Sequence, residues 1–348
     1  MQTSQLPVTP VVAPTENKIL IPVAFESGAS FEQVPVVFQT WGKRNADSSN
    51  VVWVCHALTG NHRVQEWWDG LFGPTRFFDP ADHFIVAVNV FGSAYGSFGP
   101  TVGAANEEPL YRNFPTVTIR DMVQGLEAVR QHLQIEEIQT LIGASVGGQQ
   151  AMEWAIQRPE AIRKLVLIAT NSFHSPFGIA FNEAQRLAIQ ADPTFFDDVT
   201  DGGKNGLIAA RAIGMLSYRT YEGYGLTQRE EDADKTDAYK AASYQKYQGE
   251  KLAKRFNTYS YWYLSKAMDS HHVGRNRGPV EVVLKRIQAE TLVIGIDSDL
   301  LFPLTEQQYL AEHIPRAKLV TLQSAFGHDG FLVEYDQLLH HLNAFYNN

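Results

Sequence analysis

The sequence predicts an α/β fold: a mostly parallel, doubly wound sheet with a helical cap inserted in its second half. Three observations predict it. Short apolar runs rich in β-branched residues alternate with amphipathic stretches of helical period. The runs are apolar almost throughout, as strands covered on both faces of a sheet must be. The alternation then breaks between about Asn171 and Arg286 and resumes at Glu290.

Taken in order, Met1 to Lys18 are rich in Pro, Thr and Val. They lack the basic start and continuous apolar core of a signal peptide, so residues 1–18 read as a flexible tail and a cytoplasmic location is expected. Strands are expected at Val34–Phe38, Val51–Cys55, Phe84–Val90, Thr140–Gly143, Lys164–Ile168 and Thr291–Ile296, with a further apolar run at Lys318–Leu322. Helical patterns occupy Ile119–Leu133 and Gln149–Ile156. The α/β core is thus assigned to 19–170 and 287–348. The intervening 171–286 is polar, helical in pattern and poor in strand signals. It reads as a cap over the carboxyl ends of the strands, where open α/β sheets bind ligands.

Composition narrows the function. Of the 348 residues, 44% are hydrophobic and 19% charged, as in an ordinary globular enzyme. No apolar run is long enough to span a bilayer. The net charge of -9 argues against nucleic acid, whose phosphates need a basic face. The single cysteine, Cys55, has no partner for an internal disulfide and sits in a strand-like run, where it reads as a packed core thiol. His271-His272 and His340-His341 fall in no metal-ligand spacing, are read as surface positions, and no metal is expected.

The chemistry concentrates at Leu141-Ile142-Gly143-Ala144-Ser145-Val146-Gly147-Gly148. An apolar strand runs into G-x-S-x-G and a helical pattern follows, which is the nucleophile elbow of the α/β-hydrolase fold. Alone, such a turn is an ordinary glycine-rich connection. Its partners, however, follow in the order this fold requires, serine, acid, histidine. The strand ending at Ile296 leads into Asp297-Ser298-Asp299, either of whose acids suits the role. His328 lies in the glycine-flanked loop Phe326–Phe331, before the last helical stretch. An acyl-transfer site also needs N–H donors for the oxyanion. The residue after the nucleophile, Val146, supplies one. Leu58, in the loop His56-Ala57-Leu58-Thr59-Gly60 that follows the strand ending at Cys55, is assigned the other. His56 reads as a turn stabiliser rather than a catalytic group.

Together these segments resemble the homoserine O-acetyltransferases of methionine biosynthesis, from about Val36 to the C-terminus. The similarity is carried by His56–Gly60, by Asn89–Gly92 with Gly96–Pro100, and by Phe114–Asp121. Tyr247–Gly249, Ser260-Tyr261 with Ala267–Asp269, Ser298–Pro303 and Gly327–Leu332 complete it. The resemblance implies that Asp299 is the triad acid, that Arg211 and Tyr218 bind homoserine, and that Asp329 meets its ammonium. It implies acetyl-CoA as co-substrate with no bound cofactor, L-homoserine as acceptor, and a homodimer packed through the cap helices. Departures from the family pattern occur at Ala144 and Val146 of the elbow, at Phe98, at Asn257–Tyr259 and at Asn61-His62-Arg63. A succinyl donor, a serine acceptor, or water as acceptor in an esterase are the competing readings.

Overall fold

A computed structural model describes residues 13–347. The strands are β1 (Thr15–Ala24), β2 (Ser30–Trp41), β3 (Val51–Cys55), β4 (Phe84–Val88), β5 (Ile138–Ala144), β6 (Ile162–Ile168), β7 (Glu290–Ile296) and β8 (Ala317–Leu322). They form one sheet in the order β1-β2-β4-β3-β5-β6-β7-β8. From β4 to β8 every pairing is parallel, and β1 and β2 add an antiparallel edge. The six expected core strands and the 318–322 run all lie in this sheet. β3 and β5 are buried at nearly every position, as their unbroken apolar runs require.

β1 corrects the sequence reading. Residues 1–12 of the expected tail lie outside the described residues, but Thr15–Lys18 belong to a strand. Its first eight residues are exposed or half-buried, with Glu16 and Lys18 among them. A polar edge strand carries little apolar signal and discourages edge-to-edge pairing.

The helices of the first half are α1 (Val64–Trp67), α2 (Ile119–His132) and α3 (Val146–Gln157). Thr118 caps α2 in a capping box: its side chain accepts from the Asp121 amide while the Asp121 carboxylate accepts from the Thr118 amide. Asp121 also takes the Glu26 amide at 2.9 Å, tying the β1–β2 hairpin to α2. The Phe114–Asp121 signature is therefore explained by capping and docking.

Between β6 and β7 come α4 (Pro176–Gln190), α5 (Lys204–Tyr218), α6 (Tyr221–Thr227), α7 (Lys240–Ala253), α8 (Thr258–Asp269) and the short α9 (Val280–Leu284). The chain leaves and re-enters the sheet layer at one place. His174 donates its amide to the His271 carbonyl and Val273 donates to that of Ser172, both at 3.0 Å. Asn257, one of the departures from the family pattern, still caps α8 by accepting from the Ser260 amide at 2.7 Å. Phe98, another, is fully buried against Phe25, Phe31 and Phe114. α10 (Leu304–His313) and α11 (Tyr335–Tyr346) close the chain.

His271 is a second correction. It is buried, not a surface residue, and it bonds the Asn171 carbonyl through Nε2 at 3.0 Å. Burial pushes its pKa down to about 3, so it stays neutral. Sequence gives no hint of this, because the residues that enclose it come from the start of the inserted segment, up to 100 positions earlier in the chain. Cys55 is buried, and burial raises its thiol pKa further, away from the range of a nucleophile.

Candidate active site

Strand register assembles the site. β3 and β5 pair in parallel with Cys55 opposite Gly143, so the loops that leave both strands emerge side by side. Strand order reverses between these two strands, at the topological switch point where open α/β sheets bind ligands. At the other side β7 and β8 pair with Ile296 opposite Leu322. The segments carrying Asp299 and His328 therefore rise at the same carboxyl edge.

The elbow at Ser145 is a strained turn. Ser145 sits at φ 57° and ψ −128°, which a residue with a Cβ rarely adopts. Its amide donates to the Ile168 carbonyl at 2.9 Å, and its carbonyl accepts from Thr170 Oγ1 at 2.8 Å. Only glycine fits two residues to either side of it. A Cβ on Gly143 would lie 2.2 Å from the Gly147 carbonyl oxygen, and one on Gly147 would lie 2.2 Å from that of Cys55. The glycines thus let strand, turn and helix approach until Ser145 stands at the mouth of a pocket with its residue 6% exposed.

His328 sits in a 3₁₀ turn (Gly327–Leu332) after β8. Its Nδ1–H donates to Asp299 Oδ2 at 2.7 Å. The other Asp299 oxygen accepts the amides of Leu301 and Phe302 at 2.8 and 2.9 Å, which fixes the carboxylate. Asp297 points elsewhere. It is exposed, and its Oδ1 accepts the Ser324 amide at 3.0 Å. The imidazole is stacked on Phe302 at 5.0 Å and edged by Phe331 and Tyr218. Burial works to lower the His328 pKa. The charge of Asp299, its hydrogen bond and the more distant charge of Asp329 outweigh that, and the net shift is upward.

Val146, the first residue of α3, has no carbonyl four residues back within its helix, so its amide is free to face a developing oxyanion at the helix N-terminus. The Leu58 loop is held by His56, read from sequence as a turn stabiliser, and by Gln150 and Arg255, which the sequence did not suggest. His56 donates from Nδ1 to the Ala57 carbonyl at 2.9 Å and accepts the Val90 amide at Nε2, 3.3 Å away. Burial drives its pKa down to about 4, so it remains a neutral strut. Gln150 Nε2 donates to the His56 carbonyl at 3.2 Å, and Arg255 Nη1 donates to the Thr59 carbonyl and Tyr95 hydroxyl, both at 2.6 Å.

A cavity of about 90 Å³ joins these groups. It is lined by Ala57, Leu58 and Thr59, by Ser145, His328 and Asp329, by Arg211 and Tyr218, and by Met268, Leu301, Phe331 and Leu332. Six of the eight residues singled out from sequence thus line one cavity; Asp299 stands directly behind His328, and Val146 follows the nucleophile as the first residue of α3. The guanidinium of Arg211 lies over the Tyr218 ring at 5.1 Å. Asp329 is already engaged: Arg219 Nε lies 2.8 Å from its Oδ2. Arg219 and Arg255 were not legible as site residues, since an arginine on a helical stretch reads as surface. Behind the triad, Glu306 accepts from Asn171, which accepts in turn from Gln149 of α3. Burial, and less strongly the charge of Asp299, raise the Glu306 pKa to about 7 against the opposing Asn171 bond. Among the described residues no group of three or more His, Cys, Asp or Glu is placed to hold a metal ion, and no helix is long and apolar enough to cross a membrane.

Comparisons with known proteins identify the fold and the family. A profile of the α/β-hydrolase fold matches residues 50–335. A homoserine O-acetyltransferase from Cyclobacterium marinum is 46% identical over 325 residues, covering 93% of this chain and 92% of that one. The crystal structure of the homoserine O-acetyltransferase from Staphylococcus aureus superposes with a TM-score of 0.78 at 30% identity, covering 95% and 96% of the two chains. A crystal structure of a mutant of esterase E22 gives 0.85, but at 22% identity it speaks for the fold alone. With sequence identity of this extent spanning both the sheet and the inserted helices, the chain belongs to the homoserine O-acetyltransferase family of the α/β-hydrolase fold.

Proposed function

We propose that the chain moves an acetyl group from acetyl-CoA to the hydroxyl of L-homoserine, in methionine biosynthesis, through an acetyl-serine enzyme. The observation that carries this reading is the convergence of Ser145 and His328 with Arg211 and Asp329 on one small cavity. An esterase needs the first pair only. An acceptor carrying a carboxylate and an ammonium calls for the second.

In the first half-reaction His328 takes the Ser145 proton and Oγ attacks the thioester carbon. The oxyanion is met by the amides of Leu58 and Val146, and the CoA thiolate leaves with the proton from His328. In the second, His328 takes the proton of the homoserine hydroxyl, whose oxygen attacks the acetyl-serine. The tetrahedral intermediate collapses, and the proton returns to Ser145. Asp299 holds the imidazole in the tautomer that presents Nε2 to both hydroxyls. No bound cofactor takes part in either step.

Arg211 is assigned to the homoserine carboxylate, with Tyr218 beneath its guanidinium, and Asp329 to the ammonium. Arg211→Ala is expected to slow transfer to homoserine by about 1.5–3 kcal/mol, the range for a hydrogen bond to a charged group. Acetylation of Ser145 by acetyl-CoA should stay near the native rate, because the donor half-reaction does not use that contact. Rapid-quench measurement of the two half-reactions checks this. Equal loss in both would make Arg211 structural.

The position of Arg63 supports an acetyl donor, Arg211 of the cavity lining being assigned to the acceptor carboxylate. A succinyl donor would bring a second carboxylate beside the nucleophile, and burying that charge without a cation is expensive. Arg63 is the cation nearest in sequence to the oxyanion loop. It is 47% exposed, is ion-paired to Glu16 of β1 at 3.1 Å, and is absent from the cavity lining. Acetyl-CoA is therefore expected to exceed succinyl-CoA in kcat/KM, and Arg63→Ala to leave that preference in place. A preference for succinyl-CoA that collapses in Arg63→Ala would reverse the donor assignment.

A cytoplasmic homodimer completes the proposal. The cap offers apolar surface to a second copy: Leu187, Leu216, Tyr221, Leu226 and Tyr247 are all more than half exposed. Sedimentation at micromolar concentration tests the dimer.

A further inference from the structure

The C-terminal end of α5 grips the histidine turn with three consecutive residues. The Tyr218 ring lies 5.9 Å from the His328 ring. Arg219 places its guanidinium over Phe326 at 5.4 Å and its Nε 2.8 Å from Asp329 Oδ2. Thr220 Oγ1 donates to the Ala325 carbonyl. Of these contacts, the Arg219–Asp329 pair has no explanation in packing. Its two side chains are 23% and 17% exposed, more buried than a casual surface pair, and Asp329 lines the same cavity as Ser145. The Arg219 Nε–H, moreover, is not directed at the carboxylate oxygen and finds no other acceptor. The contact is one of charge, made at some cost to the donor, and a helix terminus that needed only anchoring already has Thr220.

We propose that Arg219 is a positioning residue for the transfer step: it holds the Asp329 carboxylate toward the acceptor's ammonium and keeps it off the imidazole of His328. This rests on the assignment of Asp329 to the acceptor made above. The physical need is evident from the turn itself. Two aspartates flank one histidine, Asp299 from the β7 loop and Asp329 from the histidine's own turn. Only Asp299 can serve the mechanism, because it alone sits at Nδ1. Asp329 is the next residue in the chain and its negative charge reaches the same ring. A fixed cation beside Asp329 offsets that charge and leaves one carboxylate oxygen for the acceptor. The other groups around His328 cannot replace it: Tyr218 is neutral, Phe302 and Phe331 are apolar, and Arg211 faces Tyr218. Tyr224, on α6, feels both Arg219 and Asp329, but its hydroxyl donates to Gln245.

The test uses the full-length enzyme with acetyl-CoA and homoserine. Arg219→Met is expected to raise the homoserine KM roughly 10- to 100-fold, as for the loss of a charged contact. Thiol release in the first half-reaction, measured above the acid limb, should stay within about twofold, since the acceptor's ammonium is absent from that step and a residual coupling of about 0.3–0.5 kcal/mol is roughly a factor of two. The acid limb of that half-reaction should move to higher pH, because an unopposed Asp329 favours the imidazolium. Arg219→Lys keeps the charge and should hold the limb in its native place. In an Asp329→Asn background Arg219→Met should change neither quantity. The proposal is overturned if Arg219→Met is native-like. It is equally overturned if Arg219→Met acts as strongly without Asp329 as with it, or if Arg219→Lys moves the limb as far as Arg219→Met. Asp329→Asn alone tests the acceptor assignment separately: a native homoserine KM in that variant would refute the assignment, whatever Arg219 does. Where Arg219→Met fails to fold, the lysine variant and the double variant still decide.

Discussion

Replacing Ser145 with alanine is expected to abolish acetyl transfer almost completely, with kcat falling roughly 10⁶-fold, the scale seen when a triad nucleophile is removed. The reason is local. Ser145 is held at a strained φ of 57° in a turn whose glycines, Gly143 and Gly147, leave no room for a Cβ, and its own neighbours Ala144 and Val146 carry no hydroxyl. The folded state should survive, because alanine keeps the Cβ and the Ser145 amide and carbonyl retain their bonds to Ile168 and Thr170. Native enzyme given acetyl-CoA without acceptor should gain one acetyl mass on the peptide containing Ser145, and the alanine variant none. Residual turnover would come from the oxyanion donors and binding alone. Acetylation mapped to any other residue would exclude the covalent route proposed here.

Asp299→Asn should lower kcat by about 10⁴-fold, as in serine-protease triads, because an amide at that position favours the wrong imidazole tautomer. The structure adds a pH signature. Asp299 is the main influence raising the His328 pKa against burial. His328 must be neutral to accept a proton, so activity should fall as the pH drops, with a limb displaced upward from that of an ordinary histidine. With Asp299 uncharged, that support is lost and the limb of the residual activity should shift to lower pH. Asp297→Asn should be mild, since Asp297 is exposed and bonds only a backbone amide two strands' ends away from the nucleophile. A pH–rate profile for the three enzymes checks both statements. A severe Asp297→Asn beside a mild Asp299→Asn would reverse the choice of acid.

By itself, the sequence determined what depends on neighbours along the chain. Continuous apolar runs announced β3, β5, β6 and β7, because strands covered on both faces need no alternation. The elbow was legible because its requirement, glycine at 143 and 147, is met within five residues. The order of serine, acid and histidine followed from the succession of strands. Local reading failed where burial is decided from elsewhere. β1 is an edge strand whose mostly exposed residues carry little apolar signal, and His271 is enclosed by the start of the inserted segment. The choice between Asp297 and Asp299 lies with the tertiary structure, because two acids two residues apart are chemically alike until one is buried on a histidine 29 residues further on. The outward turn of Arg63 and the pairing of Arg219 with Asp329 are of the same kind. An arginine's side chain is long enough to reach several environments, and which one it enters is fixed by charges that only the folded chain brings within 4 Å.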